Sequence, residues 1–581
     1  MNDGIPPAPE RGLASFLPGL WVARHYQRGW LLRDLAAGVA LSALLVPAGM
    51  AYAEAAGLPA VNGLYATIAG LLAYAVFGPS RILVLGPDSA LAAMIASAVV
   101  DRSAGDPARA VALASILAVL SGMFCMGAAL ARVGFITELL SKPVRVGYLN
   151  GIALTILVTQ LPKLFGFSVR AADLTSGASG FVRGVLAGET KPEALIIGLG
   201  SIALILLGRA FVPRVPSVLV AVVLAAIAVT VLDLGARISV VGVVPRGLPL
   251  PSFPEVHASD LGALVVAGAG IALVSFADTS VLSRSLAARA RVRVDPNREL
   301  FGLGAANLAA GLFRGFPTSS SASRTPVAES AGSRSQLTGV VGALVIALLV
   351  GFAPGLFRNL PTTALAAVVI TAALRVVDLG ALRLFYRVRR SDFVLSVVAF
   401  LAVAALGVLN GIAVATALSL LDVVRRVWRP HDAILGRAVG VKGYHDITRY
   451  PGAKQVPGLL LFRWDAPLFF ANADTFRARV LDAVDHAQPP AKWVVVAAEP
   501  ITDVDTSAAE ALEELDAELT ARGAELAFAE LKDPVRDRLQ RYGLEKRIGR
   551  DFFFTTVGVA VKAYLARYDV EWSDWEATPP E

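Results

Sequence analysis

The sequence predicts an α-helical membrane protein of about 14 transmembrane segments, followed by a small α/β domain in water. Three observations carry this. Hydrophobic residues make up 55% of the 581 and charged residues only 17%, with a mean hydropathy of +0.63, the composition of a chain that lies largely in lipid. From residue 34 to 424 long apolar blocks alternate with short basic or Gly/Pro-rich breaks. From about residue 430 charge and polarity return. The expected organisation is a cytoplasmic N-terminal segment over 1–33, a transmembrane domain over 34–428 and a second cytoplasmic domain over 429–581.

The first seven apolar segments fall at 34–52, 62–78, 83–100, 109–131, 143–161, 193–211 and 216–233. A second seven follow at 261–283, 299–314, 320–331, 338–356, 361–375, 391–406 and 408–424. Several are shorter than the roughly 20 residues of a straight spanning helix. The charges give an independent check on this count. Breaks after even-numbered segments carry Arg132, Lys142 and Arg145, then Arg284, Arg289, Arg291, Arg293 and Arg298, then Arg383, Arg387, Arg389 and Arg390; Arg425, Arg426 and Arg429 follow the last segment. Those breaks belong on the cytoplasmic side by the positive-inside rule. The N-terminal flank, with Arg24, Arg28 and Arg33, falls on the same side, so both termini are expected in the cytoplasm.

The third and tenth segments are the shortest and most interrupted. The third begins ILVLGPDSALAAM, with Gly86 and Pro87 ahead of a helix-forming run, and the tenth lies in GFPTSSSASRTPVAESAG, residues 315–332. Each reads as an extended strand that turns into a half-helix at mid-membrane. Non-helical backbone at that depth is tolerated where it lines a protein-enclosed cavity, and matching broken segments in two halves point to a transporter's central site. An offset of 236 positions sets NGLYATIAGLLAYAVF, from Asn62, against RELFGLGAANLAAGLF, from Arg298, and places Asp88 opposite Arg324.

Two half-helix N-termini supply unpaired N–H groups and positive dipole ends, which suits an anion. Ser319, Ser320, Ser321 and Ser323 can cap or donate, and Arg324 adds a permanent planar charge. The bland alternative is that Arg324 snorkels to the interface from an ordinary polar loop. Asp88 has two readings: a first-turn acid that neutralises Arg324 when the site is empty, or a group whose protonation accompanies anion binding. Asp278, in the apolar ALVSFADTSVLSR, is a second intramembrane acid, expected either to titrate or to hold a cation such as Na+, with Thr279, Ser280 and Ser283 as neutral oxygens. Pairing of Asp278 with Arg284 is the structural alternative.

PAGMAYAEAAGLPAVNGLYA from Pro47, GPDSA from Gly86, NLAAGLFRGFP from Asn307 and GFPTSSSASR from Gly315 resemble motifs of the SulP sulfate-permease family, whose animal members are multifunctional anion exchangers. The resemblance covers roughly residues 20 to 567 and is closest to bacterial members described as sulfate transporters. It implies a seven-plus-seven inverted repeat with core and gate domains, elevator-like alternation, a homodimer and a place in the bacterial inner membrane. Carried onto this sequence, the family's anion site falls near Asp88 and Ser89 and on Ser321, Ala322, Ser323 and Arg324. Its eighth-helix coupling acid falls on Asp278. One position departs: Ala48 follows Pro47 where the family commonly has Gln, which removes a polar contact from the expected site.

From about residue 456 the pattern alternates strand and helix: LLLFRW, a short apolar FFAN, VVVAA, a helix from about Ser507, ELAFAEL and a helix around DPVRDRLQRYG. This resembles the STAS domain shared by sulfate transporters and anti-sigma-factor antagonists. Thr506, after Asp505, matches the position of the antagonists' phosphorylated hydroxyl, although Asp and Thr are also ordinary N-caps.

The expected activity is secondary active transport of a small oxyanion, sulfate first, with H+ or Na+ as coupling ion. Bicarbonate or a C4-dicarboxylate such as fumarate or succinate is the runner-up, and a STAS-linked membrane anion sensor is the reading from another class. A nucleobase permease is disfavoured, because Arg324 and two dipoles suit an anion. The chain has no GxxxxGK[ST] loop, which argues against ATP-driven transport by this polypeptide. Five histidines and a single cysteine, Cys125, leave no recognisable metal spacing, and no enzyme activity or cofactor is expected. The formal charge of +7 follows the cytoplasmic loops and suits anionic lipid headgroups, not nucleic acid.

Overall fold

The computed structural model describes residues 17–135, 140–169, 173–212, 215–290, 294–321 and 324–572. Ala322 and Ser323 of the expected anion site, and Arg291 and Arg293 of an expected cytoplasmic loop, lie outside the described residues. The chain divides into two compact units, Met1–Leu420 and Leu421–Glu581.

The first unit is helical. After a short α1 (Pro18–Arg24), its first half runs α2 (Leu31–Ala55), α3 (Val61–Phe77), β1 (Leu85–Gly86), α4 (Ser89–Val99), α5 (Pro107–Leu130), α6 (Lys142–Leu164), α7 (Leu174–Leu186), α8 (Pro192–Phe211) and α9 (Ser217–Val231). The second half runs α10 (Ala258–Ala290), α11 (Pro296–Leu312), β2 (Ser319–Ser320), α12 (Arg324–Ser330), α13 (Leu337–Phe352), α14 (Thr362–Val376), α15 (Leu379–Val388), α16 (Arg390–Leu406) and α17 (Val408–Trp428), the last crossing into the second unit. Among the described residues seven helical stretches are long and apolar enough to cross a bilayer alone. Each of the fourteen expected segments contains a helix, and the third and tenth are broken by strands as the sequence predicts.

One boundary and two additional helices differ from expectation. SRSLAARA has no Gly or Pro, so α10 continues through Arg284 and Arg289, which were expected in a loop. Helices α7 and α15 were not expected at all. In α15 Ala381 and Phe385 are buried while Arg383 and Arg387 are exposed, an amphipathic pattern that average hydropathy misses. Their places extend the repeat, because α7 sits between the fifth and sixth segments and α15 between the twelfth and thirteenth.

Helix packing is densest within two groups, which meet where α2 packs on α14. α2, α3, α4 and α5 pack with α10, α11 and α13, whereas α6 packs with α14 and α16, and α14 with α8. Close crossings rest on small residues. A Cβ on Gly63 of α3 would lie 1.9 Å from the Gly49 carbonyl oxygen of α2, whereas a Cβ on Gly49 would lie 3.2 Å from that of Gly63. Gly63→Ala therefore forces backbone against backbone and is expected to cost about 2 kcal/mol or more. Thermal unfolding in detergent should show a large drop in Tm for Gly63→Ala and a small one for Gly49→Ala; equal effects would contradict this account of the crossing.

In the second unit a six-stranded sheet is ordered β4-β3-β5-β6-β7-β8, from β3 (Asp432–Arg437), β4 (Tyr444–Asp446), β5 (Leu459–Trp464), β6 (Trp493–Ala497), β7 (Glu525–Ala529) and β8 (Phe553–Phe554). β3 pairs antiparallel with β4 and β5, and β5 through β8 are parallel. Strand β6, WVVVA, is buried throughout, as a central parallel strand covered on both faces must be. Its covers are α18 (Ala473–Asp485), α19 (Thr506–Ala521) and α20 (Asp533–Arg541) on one face and α22 (Val557–Arg567) on the other, with a short α21 (Leu544–Ile548) before β8. FFAN is not a strand. It turns into α18, because the buried Asn472 accepts from Phe469 N (3.0 Å) and donates to the Pro467 carbonyl (2.9 Å).

Candidate functional site

The two broken segments meet as a short antiparallel ribbon, with Leu85 opposite Ser320 and Gly86 opposite Ser319. Beyond the ribbon, Asp88 is the N-cap of α4: its backbone is extended and its carboxylate accepts from Ala90 N at 3.1 Å. Ser89, the first residue of α4, is buried. Arg324 begins α12, and its guanidinium is 2% exposed. Nη1 donates to the Pro87 carbonyl, while Nη2 donates to Gly86 O at 3.2 Å and Ser319 O at 3.4 Å. Nη2 lies 3.9 Å from Asp88 Oδ2, and Nε has no hydrogen-bond partner among the described residues.

Asp88 and Arg324, matched by offset in the sequence, are thus an ion pair in space. The cation does not snorkel outward. Most of its donors are committed to backbone carbonyls of the ribbon, so it ties the two broken segments together as well as supplying charge. Asp88 therefore both caps α4 and stands beside Arg324.

Helices α10 and α11 hold the ribbon in place. Ser320 N donates to Thr279 Oγ1 (3.3 Å), Ser275 Oγ donates to Thr318 O (2.9 Å), and the Asn307 side chain binds both Thr318 N (2.7 Å) and Thr318 O (3.1 Å). Val84 N donates to Thr325 Oγ1 at 3.1 Å. Such bonds are costly to lose, since a buried backbone amide must find a partner. Thr279, read from the sequence as a possible sodium ligand, serves here as an acceptor for β2. Ser283 Oγ donates to Ser280 O (3.3 Å), as does Arg284 Nε (3.3 Å). Ser321 is buried and its carbonyl accepts from Thr325 N at 3.3 Å.

Asp278 lies in α10, three residues after Ser275 and next to Thr279 in sequence. It is half-buried and makes no hydrogen bond or ion pair among the described residues, with Arg284 or any other. Asp88, the Tyr148 hydroxyl and Arg145 lie within its electrostatic range. Tyr148 and Arg145 belong to α6, so Asp278 faces the boundary between the two packing groups.

Sequence reasoning missed Tyr52, Asn307, Thr318 and Thr325. Tyr52 of α2 is buried, with its hydroxyl beside Ser89 and in electrostatic range of Asp88 and Arg324. Its place in the first-helix motif was the available signal. Ala48 is buried in the same helix. Among the described residues no cluster of three metal-ligating side chains occurs. In the second unit Thr506 is exposed at the start of α19, with Oγ 3.4 Å from the Tyr542 hydroxyl; Asp505 caps the helix, accepting from Ala508 N at 2.8 Å.

The sulfate permease family profile matches residues 31–399, more than half of the chain, and the STAS domain profile matches residues 450–560. The chain belongs to the sulfate permease family. This permease is 42% identical over 555 residues to a probable sulfate transporter of Mycobacterium tuberculosis, covering 95% of this chain and 99% of the relative. It is 31% identical over 567 residues to the chloroplastic sulfate transporter 4.1 of Arabidopsis thaliana, covering 94% and 82%. Its fold matches the murine solute carrier 26 family member A9 anion transporter in the inward-facing state, with a TM-score of 0.87 at 22% identity over 96% of both chains. The transmembrane domain of a cyanobacterium bicarbonate transporter matches with a TM-score of 0.58 at 22% identity, over 68% of this chain and 98% of that one.

Proposed function

We infer that this permease is a secondary active transporter that takes up a small oxyanion, sulfate first, driven by H+ or Na+. One observation carries the reading: a fully buried guanidinium bridges two broken segments at the N-terminus of α4, where unpaired helix amides and a permanent charge favour an anion. Asp88, Ser89, Ser321, Ala322, Ser323 and Arg324 form the proposed site, and Asp278 is the proposed coupling residue. The likeness to sulfate transporters of Mycobacterium and Arabidopsis supports sulfate as the substrate.

The two packing groups support an elevator. The group built on α2 to α5 and α10 to α13 acts as the core that carries the site, and the group around α6, α8, α14 and α16 acts as the gate. The cytoplasmic domain from residue 429 is the proposed regulatory part, with Thr506 as an exposed hydroxyl open to phosphorylation. A homodimer in the bacterial inner membrane with both termini cytoplasmic completes the proposal.

Ala48 favours a second substrate reading. A methyl group where the family commonly places Gln removes a polar contact from the expected site, which leaves bicarbonate or a C4-dicarboxylate as the second substrate reading. The deciding experiment is uptake of radiolabelled sulfate, bicarbonate and succinate into proteoliposomes under an inward proton gradient and, separately, an inward sodium gradient. Sulfate is expected to accumulate under one gradient only. Accumulation of none of the three would move the anion-sensor reading ahead of transport.

A further inference from the structure

The second unit contains a cavity of about 650 Å³ between the β3–β4 hairpin, the ends of β5 and β6 and the start of α22. That volume is in the range that holds whole small molecules and is much larger than a bare tetrahedral anion. Nothing in the proposed transport cycle uses it. Thr506 is not among its lining residues.

Its charge is uneven. Arg437, Lys442, Arg463 and Lys562 line it, against Glu499 and Glu530. Arg437 is 1% exposed, oriented by donation from Nη1 to Gly443 O (2.8 Å) and by the Tyr444 ring 5.3 Å away. Arg463 is engaged by Asp465 at 2.8 Å, and Glu499 by Lys532 at 3.8 Å. Glu530 accepts from Val557 N at 3.4 Å and so already serves the N-terminus of α22. Lys442 and Lys562 make no ion pair among the described residues. Lys442 and Lys562 are therefore the uncommitted positive charges of the lining, which also holds a buried arginine. Leu435, Val561 and Leu565 provide an apolar wall.

We propose that this cavity is a second anion site, in the cytoplasmic domain, for a tetrahedral dianion carried on a small organic body: a phosphate monoester of sugar size. The dianion sits between Lys442 and Lys562, with the Arg437 guanidinium beneath, and the organic body lies against the apolar wall with Glu499 and Glu530 as acceptors for its hydroxyls. Two charge-assisted contacts bind the dianion. The inference does not depend on the transport reading.

The test uses the full-length protein carrying Arg324→Gln together with Asp88→Asn, which removes the charge of the proposed transport site without leaving a buried carboxylate unpaired, so that binding in the membrane unit does not contribute. Glucose 6-phosphate, inorganic phosphate and sulfate are titrated by calorimetry, with glucose as the uncharged control. Saturable binding of the phosphate compounds is expected, weakened about tenfold or more when Lys442→Gln and Lys562→Gln are combined. Glucose 6-phosphate binding more tightly than inorganic phosphate would identify an esterified metabolite as the source; equal binding of phosphate and sulfate would identify a free oxyanion. Because both lysines are exposed, their replacement should leave the fold intact, which unchanged thermal unfolding without ligand would verify. Absence of saturable binding by all three anions, or binding untouched by the lysine changes in a folded protein, would overturn the proposal.

Discussion

Arg324→Gln is expected to lower initial sulfate uptake per reconstituted protein about 100-fold or more, the equivalent of about 3 kcal/mol. The side chain has two tasks that the variant separates poorly. It donates to the carbonyls of Gly86, Pro87 and Ser319, and its charge stands 3.9 Å from Asp88. Removing one partner of a buried ion pair costs about 3–5 kcal/mol, so the single variant should also express poorly. Adding Asp88→Asn removes the uncompensated carboxylate while keeping an oxygen to accept from Ala90 N. The double variant is therefore expected to recover protein yield and thermal stability but not uptake, since an anion would then meet helix amides with no permanent charge near them. Arg324→Lys should fall between the two: it keeps a charge, but an ammonium cannot reproduce a planar fork spanning three carbonyls. A folded double variant with wild-type uptake would reduce Arg324 to a structural tie and remove the main support for the anion site.

Much of this arrangement was legible in the sequence, because composition and charge act over long stretches. Fourteen apolar blocks, basic breaks after even-numbered blocks and two interrupted segments need only hydropathy, the cost of charge in lipid and the turn preferences of Gly and Pro. The offset that set Asp88 against Arg324 pointed to a real contact because both residues begin the half-helix of their own repeat. Less legible was what each side chain faces. Nothing in SSSASR says whether the arginine points into a cavity or back onto the ribbon; that depends on the antiparallel register of β1 and β2, which joins residues more than 230 positions apart. Asn307 lay hidden in GAANLAAG for the same reason, its role being to satisfy the buried, non-helical backbone of Thr318 in a neighbouring segment. Helices α7 and α15 escaped because amphipathic segments of 13 and 10 residues have no apolar stretch of spanning length.

Asp278→Asn is expected to abolish gradient-driven accumulation of sulfate while sparing exchange of external for internal sulfate. A carboxylate within a membrane-spanning helix is costly unless something neutralises it. Here no donor and no ion-pair partner among the described residues does so, and the charges within its electrostatic range, Asp88 and Arg145, are of opposite sign and offset one another. A mobile cation is left to complete the balance, and H+ and Na+ are the candidates. Thr279, its neighbour, accepts from Ser320 N, so a cation bound at Asp278 adjoins the residue that braces the anion-site ribbon. In the proposed mechanism this hydrogen bond is what links occupancy of the two sites. Asparagine keeps the size of the side chain but holds no charge to be neutralised, so the variant resembles a permanently loaded state that still moves the anion in both directions. Exchange should stay within about threefold of wild type, because the guanidinium and the ribbon are intact, and uptake should no longer respond to the driving gradient. Undiminished accumulation by the asparagine variant would place the coupling ion elsewhere, and loss of exchange together with accumulation would make Asp278 part of the anion site itself.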